Sequence, residues 1–275
     1  MTTFFNGYDG LLCDLDGVVY AGTQPIDQAI TTLNVLIGQG VPVAFVTNNA
    51  SKAVTEIADH LRELGVATNA EHVMTSAQAV VEILTAKYQC DAGPVLVTGS
   101  PQLTQQIRAA GFVTTQLATD RPQVVVQGFN PKLGWNDLAQ ASFAIQQGAG
   151  WLATNLDLTI PLSHGIAPGN GSLVNTVAQA TGTRPEVAAG KPAPVMFTTM
   201  AQKFSMTKPL VVGDRLDTDV LGAANAGYDA ALVETGIHRR QDIGDHRSVV
   251  TPTWLLPGLG VLLQEPSDDL RSHNA

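Results

Sequence analysis

The chain has 275 residues, a formal net charge of −9 and a pI near 5.0, which excludes nucleic acid and anionic membrane surfaces as bulk partners and leaves any anion to a local positive pocket. Its length supports substantial cores in two domains, and no apolar run approaches the roughly 20 uncharged residues that a membrane span needs. Two cysteines, Cys13 and Cys90, are too few for a disulfide framework, and the start MTTFFNGYDG shows no basic region, apolar core or cleavage site of a secretory signal, which points to the cytoplasm.

In chain order the pattern alternates strand and helix. A strand at Gly10–Cys13 precedes a helical stretch near Pro25–Gly38, a strand at Val41–Val46, a helix at Ala53–Leu64, a short strand near His72–Met74 and a helix at Ala77–Tyr88. Beyond the turn-rich DAGP, strands at Val95–Val97, Val124–Val126 and Trp151–Ala153 alternate with helices around Pro101–Ala110, Asn136–Gln147 and Ser172–Ala180. The first series resumes at Lys191 with a helix at Ala193–Phe204, a strand at Leu210–Val212, a helix at Asp219–Ala226 and a strand at Ala230–Val233. Strands that are apolar almost throughout, alternating with helices, predict an α/β fold with a parallel sheet covered on both faces. The expected organisation is a discontinuous core, 1–88 and 186–264, an inserted α/β domain, 89–185, and a polar tail, 265–275, without order.

The chemistry lies where strands stop. In LLCDLDGVVY an apolar run ends at Asp14 and Asp16. In a continuing pleat two such carboxylates share one side and repel. A divalent cation relieves that repulsion, and oxygen-only ligands with room for water favour Mg2+. One oxygen of Asp14 then stays free to attack an electrophile, with Asp16 as proton carrier; the alternative is an acidic turn that merely ends a strand. Two hundred residues on, Leu210–Val212 runs into GDRLDTD, where Asp214 offers a further oxygen ligand and Asp219 either caps a helix or orients the cation's water shell. Val43–Val46 runs into Thr47, Asn48 and Asn49, donors suited to a phosphate oxygen near a helix start, and Val187–Gly190 runs into Lys191, a compact positive charge.

The ordered set D-L-D-G-V-V-Y, T-N-N, G-K-P and G-D-R-L-D-T-D, with the continuation Val220–Gly227 and the run PGNGSL, resembles the four motifs of the haloacid dehalogenase-like superfamily in its magnesium-dependent phosphatase branch. More narrowly it is similar to NagD-type, subfamily IIA, sugar and nucleotide phosphatases, including p-nitrophenyl phosphatase-like members, from about Tyr8 to about Gly236. The resemblance implies a Rossmann-like parallel-sheet core with a large inserted α/β cap, and adds the backbone carbonyl of Asp16 to Asp14 and Asp214 as magnesium ligands. The expected activity is hydrolysis of a small phosphate monoester through an aspartyl-phosphate on Asp14. Asp16 acts as acid then base, Thr47, Asn48, Asn49 and Lys191 meet the phosphate, and Asp219 stands behind the metal.

Specificity is expected from the inserted segment NLDLTIPLSHGIAPGNG, through Asn155, Asp157 and His164, although Asn155 and Asp157 could equally form a turn and His164 a surface loop. Asn49 could cap a helix before Ser51 and Lys52, and Arg215 is explained as well by an outward salt bridge as by a phosphate contact. Asn130 stands where relatives commonly end a strand-like run with an acid. The segment Asn155–Gly171 has no Phe, Tyr or Trp, so a glycerol phosphate, phosphoglycolate or sugar phosphate is favoured over a nucleotide or pyridoxal phosphate, with p-nitrophenyl phosphate as artificial substrate. A phosphometabolite sensor without turnover is the alternative outside enzymes, and association as a homodimer is left open.

Overall fold

The computed structural model describes residues 7–162, 164–243, 250–264 and 267–272. Its elements begin with β1 (Gly10–Cys13), β2 (Tyr20–Ala21), β3 (Gln24–Pro25), α1 (Ala29–Gly38), β4 (Val43–Thr47), α2 (Val54–Glu63), β5 (Val73–Thr75) and α3 (Ser76–Lys87). They continue with β6 (Val95–Thr98), α4 (Pro101–Ala109), β7 (Thr114–Thr115), β8 (Val124–Gln127), α5 (Trp135–Gln146), β9 (Gly150–Ala153), β10 (Thr159–Leu162), β11 (Gly165–Pro168) and α6 (Asn170–Thr181). The last are β12 (Val187–Ala188), α7 (Val195–Lys203), β13 (Pro209–Gly213), α8 (Leu221–Ala226), β14 (Asp229–Val233) and β15 (Trp254–Leu256).

The chain divides into two compact units. One comprises the described residues of Met1–Thr47, Val54–Met74 and Lys191–Ala275, the other Asn48–Ala53 and Thr75–Gly190. The expected insertion 89–185 falls inside the second unit, which also takes in α3 and the short segment after Thr47.

The first unit is built on a six-stranded sheet in the order β15-β14-β13-β1-β4-β5. β1 pairs in parallel with β13 on one side and β4 on the other, Cys13 lying opposite both Val212 and Phe45. Every residue of β1, β4 and β13 is buried, as strands covered on both faces must be. One core collects Leu11, Cys13, Phe45 and Val212 with Leu33 and Leu36 of α1 and Ile57 and Leu61 of α2, while α7 packs against β1 and β4. Truncating a fully buried leucine such as Leu11 to alanine is expected to cost about 2–5 kcal/mol. The helix read from Pro25 starts at Ala29, because β2 and β3 form an antiparallel ribbon that uses the residues before it.

Two elements of this unit lie beyond the sequence reading. β15 pairs in parallel with β14, and Trp254 Nε1 donates to the Tyr8 hydroxyl at 2.6 Å. The tail, expected to lack order, instead forms a short 3-10 turn at Asp268–Leu270 and a bridge from Arg271 to Trp254, whose ring the Arg271 guanidinium covers at 4.7 Å. A cation over an indole face is the attraction that holds it. Residues 265–266 and 273–275 of that expectation lie outside the described residues.

The second unit has a five-stranded parallel sheet in the order β12-β9-β8-β6-β7. Leu96, Val125, Trp151 and Ala153 pack beneath Ala141 and Ala144 of α5 and Val174 and Val177 of α6. Its helices begin on local signals. Thr75 and Gln78 form a reciprocal capping box for α3, and the Ser100 side chain accepts from Leu103 N ahead of Pro101 at the first position of α4. β10 and β11 form an antiparallel hairpin where a shaped loop was expected, since Pro161 and Pro168 disguise strands of this type. β12 also corrects an expectation: the run into Lys191 belongs to this sheet, pairing Val187 with Leu152, and does not end a strand of the core sheet. Among the described residues no helix is long and apolar enough to cross a membrane.

Candidate active site

The central strands of the first unit end in polar side chains. Asp14 follows β1, Asp214 follows β13 and Thr47 is the last residue of β4, and all three are buried. The carboxyl ends of parallel strands are where open α/β sheets bind ligands. β1 stops at Cys13, so the alternation that would bring the carboxylates of Asp14 and Asp16 together does not reach them. Asp14 is 8% exposed, whereas Asp16 is exposed and forms a backbone bridge with Tyr20.

Lys191 enters this nest as its cation. Its Nζ donates to Asp14 Oδ1 at 2.6 Å, to Asp219 Oδ1 at 2.7 Å and to the Val46 carbonyl at 3.1 Å. Asp219 therefore stands beside Asp14, the two carboxylates sharing the Lys191 ammonium. The reason is local. Leu216–Val220 forms a π-helical turn in which Asp219 N and Val220 N both donate to the Arg215 carbonyl, at 3.0 and 3.1 Å, and the Asp219 carboxylate accepts from Arg215 N at 3.1 Å. Arg215 itself pairs with Asp217, its NH2 group 2.8 Å from Oδ2, as the salt-bridge alternative expected.

One carboxylate oxygen from each of Asp14, Asp214 and Asp219 lies within 4.8 Å of the others, a buried, oxygen-only set that suits a hard divalent cation. The Asp16 side chain is not a member of that set. Burial pushes the Asp14 carboxyl well above its ordinary range, with Lys191 opposing and Asp219 and Asp214 adding to the rise. Burial and then Asp219 push Asp214 up to about 6, against the donation it receives from Ile237 N. Burial alone would lower Lys191, but Asp14 and Asp219 outweigh it and hold the ammonium above the usual lysine range. Three buried carboxylates facing one ammonium leave the nest short of positive charge.

A further segment, absent from the sequence reading, closes around Asp214. Ile237 N donates to Asp214 Oδ2 at 2.8 Å, His238 N donates to the Asp214 carbonyl at 3.0 Å, and Leu216 N donates to His238 Nδ1 at 2.9 Å. Thr235 Oγ1 donates to the Gly17 carbonyl at 2.6 Å. A Cβ at Gly236 would lie 2.0 Å from Asp214 Oδ2, and one at Gly17, where φ is +79°, would lie 2.4 Å from it. The only local signal for this segment is a glycine soon after a strand, because the partners are some twenty and two hundred residues away.

The remaining expected residues fall in the second unit. Asn48 Nδ2 donates to both oxygens of Asp157, at 3.0 and 3.1 Å, while the Asn48 carbonyl accepts from Ser76 Oγ at 2.7 Å and Asn155 Nδ2 at 2.8 Å. Asn155 Oδ1 accepts from Asp157 N at 3.2 Å, the turn weighed as an alternative, and its carbonyl accepts from Asn170 Nδ2 at 2.8 Å. Asn49 Oδ1 accepts from Ser51 N and Lys52 N at 2.9 and 3.0 Å, a turn ahead of α2 and not the cap of that helix. His164 is exposed between β10 and β11. Asn130 ties a turn, donating to the Gly99 carbonyl and accepting from Lys132 N.

Comparison with known proteins agrees with this geometry. Residues 11–113 match the family described as haloacid dehalogenase-like hydrolase, and residues 188–262 match the family described as HAD-hydrolase-like. The D-glycerol 3-phosphate phosphatase of Mycobacterium tuberculosis is 41% identical over 265 residues, 96% of this chain and 74% of the relative. The acid sugar phosphatase of Staphylococcus aureus is 32% identical over 260 residues, 94% of this chain and 98% of the relative. The crystal structure of the glycerol phosphate phosphatase from Mycobacterium tuberculosis in complex with magnesium superposes with a TM-score of 0.89 at 40% identity, covering 96% of this chain and 79% of that one.

Proposed function

The chain belongs to the haloacid dehalogenase-like hydrolases, and on that premise we propose that it is a magnesium-dependent phosphomonoesterase of the NagD type acting on small phosphorylated metabolites. The observation that carries the reading is the buried set of Asp14, Asp214 and Asp219, with Lys191 paired to Asp14 and Asp219. Asp14 and Asp214, with the backbone carbonyl of Asp16 or the carboxylate of Asp219, would hold the magnesium ion. When bound, it screens the phosphate dianion from the carboxylates and polarises the phosphoryl oxygens.

Lys191 engages Asp14 Oδ1, which leaves Oδ2 as the attacking oxygen. Oδ2 forms a bond to phosphorus as the bond to the leaving alkoxide breaks, giving an aspartyl-phosphate. Asp16 is exposed and able to exchange protons, as its task requires: it gives one to the departing alkoxide, then takes one from the water that hydrolyses the intermediate. Thr47 and Lys191 stabilise charge on the transferring phosphoryl group. Of the two residues that follow Thr47, Asn48 is assigned to the phosphate through its backbone, and Asn49 to the turn it caps. Asp219 keeps Lys191 charged and in place.

Specificity is assigned to the inserted domain 89–185 through Asn155, Asp157 and His164. A glycerol phosphate is the first candidate substrate, supported by the relative of that activity and by the lack of an aromatic platform in Asn155–Gly171. The cytoplasm, where such metabolites occur, is the proposed location.

The test is phosphate release from a panel of glycerol phosphate, phosphoglycolate, sugar phosphates, nucleotides and pyridoxal phosphate, with magnesium and with a chelator. Magnesium-dependent release, greatest for the small aliphatic esters, is expected. Release that persists in chelator sinks the metal assignment, and tight binding without release identifies a sensor.

A further inference from the structure

We propose that Thr235–His238, the segment after β14, is a dedicated positioning element for the cation site, with His238 and Gly236 as its working parts. The inference rests on the metal-binding reading above and deepens it. Backbone from another stretch of chain holds Asp214 at two points: its Oδ2 by Ile237 N and its carbonyl by His238 N. With Oδ2 engaged, Oδ1 is the oxygen left for a cation. The His238 ring, nearly buried, then reaches past Asp214 to accept from Leu216 N through Nδ1, which places its ring proton on Nε2. That bond fixes the first residue of the π-helical turn that carries Asp219. One histidine therefore ties Asp214 and the turn that carries Asp219 to a common reference.

The same segment reaches the loop that follows the nucleophile. Thr235 Oγ1 holds the Gly17 carbonyl, and Gly17 and Gly236 flank the Asp214 carboxylate so closely that neither has room for a Cβ. Packing of that kind leaves the carboxylate one orientation, which is what a site of three converging oxygens requires. The Ile237 side chain is 50% exposed, so its contribution is the N–H alone.

The test measures Mg2+ binding to the chelator-treated protein by titration calorimetry, alongside magnesium-free thermal melts. Gly236→Ala places a methyl on Asp214 Oδ2 at a backbone angle that any residue adopts, and is expected to weaken magnesium binding by roughly ten-fold or more. His238→Leu removes the acceptor for Leu216 N and is expected to do the same. In His238→Asn the side-chain oxygen takes the place of Nδ1, and magnesium binding should return to within about three-fold of the parent, a recovery that a bulk packing role would not produce. Gly236→Ala and His238→Leu that bind magnesium like the parent overturn the proposal, as does an asparagine no better than the leucine. If His238→Leu does not fold, Gly236→Ala against parent decides. A parent that takes up no magnesium overturns the metal-binding reading and this inference together, a result distinct from parent-like variants.

Discussion

Two polar clusters, one in each compact unit, solve the problem of burying polar atoms in opposite ways. In the first unit three buried carboxylates share one ammonium, which pairs with Asp14 and Asp219, and burial first and Asp219 second push Asp214 up to about 6. In the second, Asp157 is the single charge among Asn48, Asn155 and Asn170, and amide groups meet backbone carbonyls at 2.8 Å. A cluster made mostly of neutral donors and acceptors can satisfy nearly all its members internally and set backbone shape, Asn170 Oδ1 being the one of these atoms left without a hydrogen bond among the described residues. A cluster with excess charge stays incomplete until something of opposite sign enters, so it is the one suited to binding and chemistry.

The largest expected effect tests the charged cluster by removing its nucleophile. Asp14→Asn keeps the volume and the Lys191 neighbour but cannot attack phosphorus, and turnover of p-nitrophenyl phosphate should fall by roughly three orders of magnitude or more. Near-parental activity would break the assignment. Asp16→Asn sharpens it: loss should be severe for alkyl phosphates and mild for p-nitrophenyl phosphate, whose phenolate needs little protonation. Equal losses in steady state and in the burst phase would remove Asp16 from proton transfer.

Lys191→Met asks whether charge imbalance governs the first cluster. Stripping the Lys191 ammonium from the three clustered carboxylates should cost about 3–5 kcal/mol in a magnesium-free denaturant titration, and added magnesium should restore part of it by binding the folded form. A variant as stable as the parent without magnesium would show that the carboxylates are not stressed. In the second cluster, Asp157→Ala removes a charged acceptor from Asn48 Nδ2, for about 1.5–3 kcal/mol at most, and magnesium should not restore it. Recovery on adding magnesium would erase the contrast between the clusters.

The smallest effect lies at the surface of the second unit, where Lys87 Nζ pairs with Glu186 at 2.9 Å. That hydrogen bond, helped by Tyr88, lowers the Glu186 carboxyl below its ordinary 4.5. A carboxyl whose folded value is depressed stabilises the fold above its unfolded value and ceases to do so as pH falls through the folded one. Glu186→Gln should therefore cost less than about 1 kcal/mol at neutral pH, and the gap between parent and variant should close in melts taken progressively below pH 4.5.

What could be read in advance followed from local signals. Apolar runs that end in Asp14, Thr47 and Asp214 announce strand ends, and the parallel sheet that unites them follows from alternation with helices. Lys191 was readable as a charge but not as a residue reached from the second sheet, because the short run before it looks like any core strand. Asp219 carried its identity but not its place, since no periodicity marks a π-helical turn. His238 gave no signal, because its partner Leu216 is twenty-two residues away. The β10–β11 hairpin and β15 were hidden by prolines and shortness, and the ordered stretch 267–272 by polar composition that Trp254 overrides.

The π-helical turn at Leu216–Val220 has a consequence for how this stretch tolerates changes of length. Such a turn accommodates one residue more than an α-helical turn would. Each residue of an α-helix is rotated by about 100° from the last, so deleting a single residue between Arg215 and Asp219 would restore regular helix at little cost to the backbone while swinging Asp219 away from Lys191. Few surface loops would notice so small an indel; here it is expected to leave a well-folded chain whose Lys191 ammonium has lost its Asp219 partner.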